Sequence, residues 1–368
     1  QVVHEGDIVL RLTDLQNDKR SLRSASVHEH GIITSAYLAL RPEGAEPAFL
    51  SYLLRAYDLS KVFYSMGGGL RQSMKFSDLK RMPVPVPPAS EQTAIATFLD
   101  RETAKIDALI DEQEKLIALL GEKRQATISH AVIRGLNPNA PMKDSGVPWL
   151  GAVPAHWRVV RLKFLLEELT DFTANGSFAS LAENVHYLDE GPSRLVRLTD
   201  LRENLENDGI YVSEYAHKFL SKSALFGGEV LIANVGAYAG YACLMPSTGQ
   251  VATLGPNMYL MRFDHGVTTN AYINLCLSSQ GLREQLTVAA TSTAQPKLNK
   301  DDVKGCVLPL PPLQEQHLIL SSLSAQTSRL DQLIQTATDG IALLAERRSA
   351  LIAAAVTGQI DVRGLVPV

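Results

Sequence analysis

The sequence predicts an α+β chain in which two β-rich regions alternate with two long helices. Three observations carry that expectation. Residues 76–92, FSDLKRMPVPVPPASEQ, align without a gap with residues 300–316, KDDVKGCVLPLPPLQEQ, at an offset of 224. Each of these segments leads into a run of about 40–45 residues with helical apolar spacing. What precedes each is a series of short β-branched and aromatic runs broken by glycine and proline. The register holds beyond the aligned segments: Ile106-Asp107 matches Leu330-Asp331, Leu109-Ile110 matches Leu333-Ile334, Leu119-Leu120 matches Leu343-Leu344, and Ala131-Val132 matches Ala355-Val356. Solenoid repeats run to about 20–50 residues, so a period this long marks a duplicated domain-plus-helix unit.

Taken in order, residues 1–86 form the first β-rich region. GDIVL at 6–10 and GIITSAYLAL at 31–40 read as strands. PAFLSYLLRAYDLSKVFYSM at 47–66 reads as a helix, with Phe49, Leu53, Leu54 and Leu59 on one face. MPVPVPP at 82–88 lacks the N–H groups for a regular ladder and reads as an extended edge or connector. Residues 87–135 hold the connector and the first long helix. Ser90 is its expected N-cap, Glu91 suits the helix dipole, and Gly135 with Pro138 stops it. Its length of roughly 65 Å at 1.5 Å per residue exceeds a compact domain and implies a coiled-coil-like spacer. Residues 136–148 read as a linker. Residues 149–305 form the second β-rich region, with strand-like runs at 193–198, 227–236, 241–245 and 257–263 and a helix at 271–286. Residues 306–360 repeat the connector and long helix, and 361–368 are a tail.

Outside the connector and helix the two copies match weakly and at drifting offsets. GDIVL aligns with GEVLI at 222, and Gln72 with Gln295 at 223. Near-identical helices beside diverged globular regions suit one constant partner and two different targets.

Composition narrows the class. No run of about 18 apolar residues is present, so no membrane span is expected, and no cleavable leader opens the chain. Cys243, Cys276 and Cys306 lack metal-type spacing and are odd in number, which points to reduced thiols in a cytoplasm. A net charge of −4 and a pI near 6.2 argue against coating nucleic acid by bulk charge, while leaving room for localised basic residues. Phosphate-loop and HExxH motifs are absent, as are an Asn/Asp-Pro-Pro-aromatic tetrapeptide and a Gly-rich strand-to-helix loop, so no catalysis is expected in this chain. His28 and His30 lack a further ligand and make no metal signature. Gly67-Gly68-Gly69 reads as a turn rather than a phosphate cradle. The pentapeptide RLTDL occurs at 11–15 and 197–201, out of the main register, and reads as coincidence.

PVPVPPASEQ at 83–92 and VLPLPPLQEQ at 307–316, each followed by a long helix, resemble the specificity subunit of type I restriction-modification enzymes. GVPWLGAVPAHWRVVRLK at 146–163 is similar to the segment that opens a target recognition domain in that family. The resemblance covers essentially the whole chain. It implies two target recognition domains, each reading half of a split double-stranded DNA site, joined by two helices that pair as an antiparallel coiled coil. It implies no catalysis and no cofactor in this chain. Two modification subunits would bring S-adenosylmethionine chemistry, and restriction subunits would bring ATP and Mg. One departure stands out. Roughly 80 residues separate Trp149 from Gly228, but only five precede Gly6. The first recognition domain is therefore expected to hold its C-terminal part only, in an N-terminally truncated chain.

Reading bases calls for Arg, Lys, Asn, Gln, Ser or Thr on loops, with other basic residues on phosphates. In the first region the cluster Arg11, Thr13, Asp14, Gln16, Asn17, Lys19, Arg20 and Arg23 qualifies. In the second the candidates are Arg194, Arg197, Thr199, Arg202, Asn234, Tyr238, Thr293, Gln295 and Lys297. Glu91, Gln92, Glu315 and Gln316 are candidates for partner contact, beside the plainer reading that they cap and solvate the helix starts. Three other readings stay open: a half-specificity fragment that dimerises, a coiled-coil adaptor without DNA reading, and an enzyme with an unrecognised site.

Overall fold

The computed structural model describes residues 1–13, 22–66, 74, 76–290 and 295–365. The chain divides into two compact units, Gln1–Ala118 with Leu333–Val368, and Leu119–Gln332. The long helices are Ala89–Arg134 and Leu313–Val356, so each unit takes in part of both.

In the first unit Ser24–Ser26, Ile8–Leu10 and Leu38–Leu40 form a three-stranded antiparallel sheet in that order. Val2–Val3 pairs separately with Gly31–Ile32. The helix Pro47–Leu59 presents Phe49 and Leu53 to the long helices and Leu54 to the sheet side, where Ile8, Leu10, Leu12 and Phe63 are buried. The second unit holds two four-stranded sheets. One runs Tyr211–Val212, Ser193–Val196, Ala252–Leu254, Ala224–Leu225 and includes the parallel pair Ser193–Val196 with Ala252–Leu254. The other, fully antiparallel, runs Ala242–Leu244, Val230–Ala233, Met258–Phe263, Leu166–Asp171. The strand Val307–Leu310 pairs with Arg158–Arg161, and its Pro309 is tolerated in this short two-stranded ladder.

The duplication is visible in the packing. In the first unit Ile95 and Leu99 are buried with Ile352, Ala355 and Val356. In the second, Ile319 and Leu323 are buried with Ile128, Ala131 and Val132. Each residue of one set matches one of the other at the offset of 224. Two ion pairs follow the same rule: Asp107 with Arg348 at 2.9 Å, and Asp331 with Arg124 at 2.8 Å. The start of one helix meets the end of the other within each unit, so the pairing is antiparallel. The short helices Pro47–Leu59 and Asn270–Ser278 are related likewise, with Phe49 and Leu53 matching Ile273 and Leu277.

Several expected elements are subdivided. Within 31–40 the chain serves two sheets, with a turn closed by the Tyr37 N–H donating to Thr34 O. The helix expected over 47–66 breaks at Lys61, whose φ of 60° leaves the helical region, into Pro47–Leu59 and Val62–Met66. The helix expected at 271–286 is two, Asn270–Ser278 and Gln280–Ala290, separated by extended Ser279. The run 193–198 is a strand to Val196 and then a helix, Leu198–Arg202. The expected linker 136–148 contains the strand Met142–Asp144, which pairs with Ala152–Pro154.

Candidate DNA-reading surface and helix junctions

The connector glutamines are internal locks. Gln92 is 2% exposed; its Oε1 accepts from the Glu46 N–H at 2.8 Å and its Nε2 donates to Pro87 O at 2.8 Å. Gln316 is fully buried; its Oε1 accepts from Thr268 Oγ1 and the Thr269 N–H, and its Nε2 donates to Val267 O and Pro311 O. Each therefore fastens the connector and long helix to the start of the short helix beneath it, and neither is free for a partner. Glu315 is similarly engaged, accepting from Trp157 Nε1 at 3.0 Å with His156 Nε2 at 2.8 Å. Gly135, at φ 70°, closes against the Trp157 ring, where a Cβ would come within 3.0 Å. Glu91 is half-buried, with Arg363 as a charged neighbour.

In the first unit, Asn17, Lys19 and Arg20 lie outside the described residues, as do Asp14 and Gln16. Arg11 follows the strand Ile8–Leu10, and its N–H donates to Arg23 O. Arg23 is 1% exposed, with its guanidinium donating to Thr13 O and Tyr64 Oη and its N–H to buried Asp58. It supports the fold and is corrected from a DNA contact.

In the second unit Arg194 is corrected for the same reason. It is 4% exposed and donates to Leu205 O and Asn207 O. Arg197 is half-buried and forks onto Asp200 at 3.0 and 2.9 Å. Asp200 is the residue that sequence reasoning missed. It is fully buried and also accepts from the Arg197 N–H and Asn207 Nδ2. Burial works to raise its carboxyl, but the bonds from Arg197 and Asn207 outweigh it and hold the group below the usual carboxylate range. The RLTDL run at 197–201 thus has a structural use: its Arg and Asp build the turn that follows a buried strand.

The remaining described candidates are exposed, except Asn234, which is half-buried with its Oδ1 shielded from solvent. Thr199 and Arg202 stand on Leu198–Arg202, and the Arg202 guanidinium carbon lies over the Tyr238 ring, 4.4 Å from its centroid. Asn234 and Lys297 meet where Val235 bridges to Lys297 and the Leu298 N–H donates to Asn234 O. Both line a cleft of roughly 580 Å³ floored by Phe172, Leu181 and Met258. Gln295 is exposed beside them, and Thr293 lies outside the described residues.

Among the described residues no three His, Cys, Asp or Glu side chains gather to hold a metal. His30 and His4 face one another at 3.0 Å between their Nδ1 atoms without a third ligand. All three cysteines are free thiols, and burial pushes each up to about 12, far from thiolate reactivity. No helix among the described residues is long and apolar enough to cross a membrane.

A family model described as the type I restriction modification DNA specificity domain matches residues 32–118 and 199–342, more than half of the chain. A putative type I restriction enzyme MjaX specificity subunit of Methanocaldococcus jannaschii is 24% identical over 335 residues, covering 89% of this chain and 71% of the relative. The type I restriction enzyme EcoKI specificity subunit of Escherichia coli is 21% identical over 371 residues, covering 98% and 76%. A chain solved in work on complex assembly and conformational transition of the type I R-M system superposes with a TM-score of 0.71 at 18% identity, covering 97% of this chain and 83% of that one. The HsdS subunit of Thermoanaerobacter tengcongensis gives a TM-score of 0.53 at 19% identity, over 98% and 82%.

Proposed function

Because the chain belongs to the type I restriction-modification DNA specificity family, we propose that its two units read the two halves of a split DNA site while the paired helices recruit two modification subunits. As a specificity subunit it recognises a DNA target and is non-catalytic. The observation that carries the finer reading is the duplicated set of helix contacts. Asp107–Arg348 and Asp331–Arg124, with the matched cores around them, repeat one set of helix contacts in each unit. A contact set present twice offers one kind of partner two like surfaces.

The surface for that partner is set by exposed leucines rather than by the connector carboxamides. Leu109 and Leu119 on the first helix, and their matches Leu333 and Leu343 on the second, all face solvent. Large apolar side chains left exposed at duplicated positions fit a partner helix. The modification subunits would supply S-adenosylmethionine chemistry, and restriction subunits ATP and Mg. The half-sites would fall in successive major grooves about 34–36 Å apart. Three free thiols, two of them buried, fit a cytoplasmic protein. Native mass measurement of the chain mixed with its modification subunit tests the stoichiometry. Two modification subunits per chain are expected, and a single one would overturn the reading of two like surfaces.

A further inference from the structure

We propose that Arg202, held against the Tyr238 ring, reads a guanine in the major groove, which rests on the reading of this unit as a DNA half-site reader. Three arginines sit together in sequence here, and the structure separates their roles. Arg194 is buried and bonded to backbone, and Arg197 is forked onto Asp200. Arg202 is exposed, and among the described residues it has no carboxylate partner; its neighbour is the Tyr238 ring, 4.4 Å from the guanidinium carbon. A cation over a ring face is attracted to it, which restricts the guanidinium while its N–H donors remain able to meet a partner. A planar fork of two N–H donors is what the O6 and N7 acceptors of guanine accept in the major groove.

Both partners stand on rigid supports. Arg202 closes the helix Leu198–Arg202, whose start is fixed by Asp200 beneath it. One residue beyond it the backbone passes through two consecutive left-handed residues, Asn204 at φ 51° and Leu205 at φ 63°. That conformation is uncommon for Asn and a true outlier for Leu. It is held by Leu205 packing into the core and by Arg194 donating to Leu205 O at 2.8 Å. Buried Arg194 thus maintains the strained turn that presents Arg202. Tyr238 is 46% exposed, on a tight turn between Val230–Ala233 and Ala242–Leu244. Its turn is tied by the Gly240 N–H to Ala233 O and the Tyr241 N–H to Tyr238 O. A guanidinium positioned before DNA arrives loses little freedom on binding.

The test is genome-wide mapping of methylated sites with the chain co-expressed with its modification subunit, for wild type, Arg202→Ala, Arg202→Lys and Tyr238→Leu. The expected result is that a single G·C position, in one half of the split motif, loses its preference roughly ten- to hundredfold in both Arg202 variants. Tyr238→Leu should relax the same position more weakly, and the other half-motif should not change. Arg202→Lys keeps the charge, so a phosphate contact would survive it. An unchanged motif with uniformly weaker methylation in Arg202→Ala and full activity in Arg202→Lys would overturn the proposal, as would relaxation at an A·T position. If the wild-type complex yields no split motif, the half-site reading itself fails, a result separate from any difference among variants.

Discussion

Replacing Gln316 with alanine should destabilise the second unit more than the matching change at Gln92 destabilises the first. Gln316 is fully buried and joins Thr268 Oγ1, the Thr269 N–H, Val267 O and Pro311 O. The threonine hydroxyl can rotate to another acceptor, which leaves three backbone groups unmet. At roughly 1–1.5 kcal/mol for each buried group left without a partner, the loss is about 3–5 kcal/mol. Gln92 joins two backbone groups, the Glu46 N–H and Pro87 O, so the same reasoning gives about 2–3 kcal/mol. Both tryptophans, Trp149 and Trp157, belong to the second unit, so their fluorescence reports its unfolding. With a urea slope of about 2 kcal/mol per molar, Gln316→Ala should lower that midpoint by roughly 2 M. Gln316→Met keeps the volume and loses the hydrogen bonds, and it should fall nearly as far. A shift below about 0.5 kcal/mol in Gln316→Ala would refute the lock. Full rescue by Gln316→Met would show that the residue fills space and does not tie the connector.

Other expectations follow from single contacts. Asp200→Ala strips the counter-charge from Arg197 and leaves Arg194 buried beside an empty site; a loss of about 3–5 kcal/mol in the same urea assay is expected. Asp7 is held at about 2 by its hydrogen bond from Arg41, with the His4 N–H adding to it. A depressed carboxyl contributes stability above its unfolded value near 4 that is lost as pH falls toward 2. Urea midpoints should therefore drop more steeply over that window in wild type than in Asp7→Asn. Leu343→Asp and Leu119→Asp should leave stability within about 0.5 kcal/mol and weaken binding of the modification subunit at least tenfold by calorimetry. Because burial pushes all three thiols up to about 12, a disulfide reagent at pH 8 should react slowly with native protein and with all three cysteines in denaturant.

The helices and their pairing were legible because duplication multiplies the signal. A 224-residue offset that holds at Asp107 and Asp331, and at Arg124 and Arg348, shows as sequence identity and returns as two matched ion pairs. The site was less legible. Arg23, Arg194 and Arg202 are alike as letters in basic loop segments, and their fates depend on where the guanidinium finds carbonyls. A clue existed for Arg194: it sits inside SRLV, a strand buried along its whole length, where a charged side chain must bring partners. Asp200, six residues on, shares its network. The connector glutamines carried a clue of a different kind. A carboxamide that recurs after a Pro-rich turn has donor and acceptor in one group, which suits the orphan N–H and C=O groups at a junction of chain segments. The break at Lys61 had no comparable signal, since apolar spacing continues through it.

The most direct test of the account is the map of methylated bases made by the wild-type chain assembled with its modification subunit. Two short specific blocks separated by a gap of fixed length are predicted, with the blocks unlike each other because the globular units have diverged where the helices have not. A single continuous motif, or an intact complex that methylates no defined sequence, would contradict it.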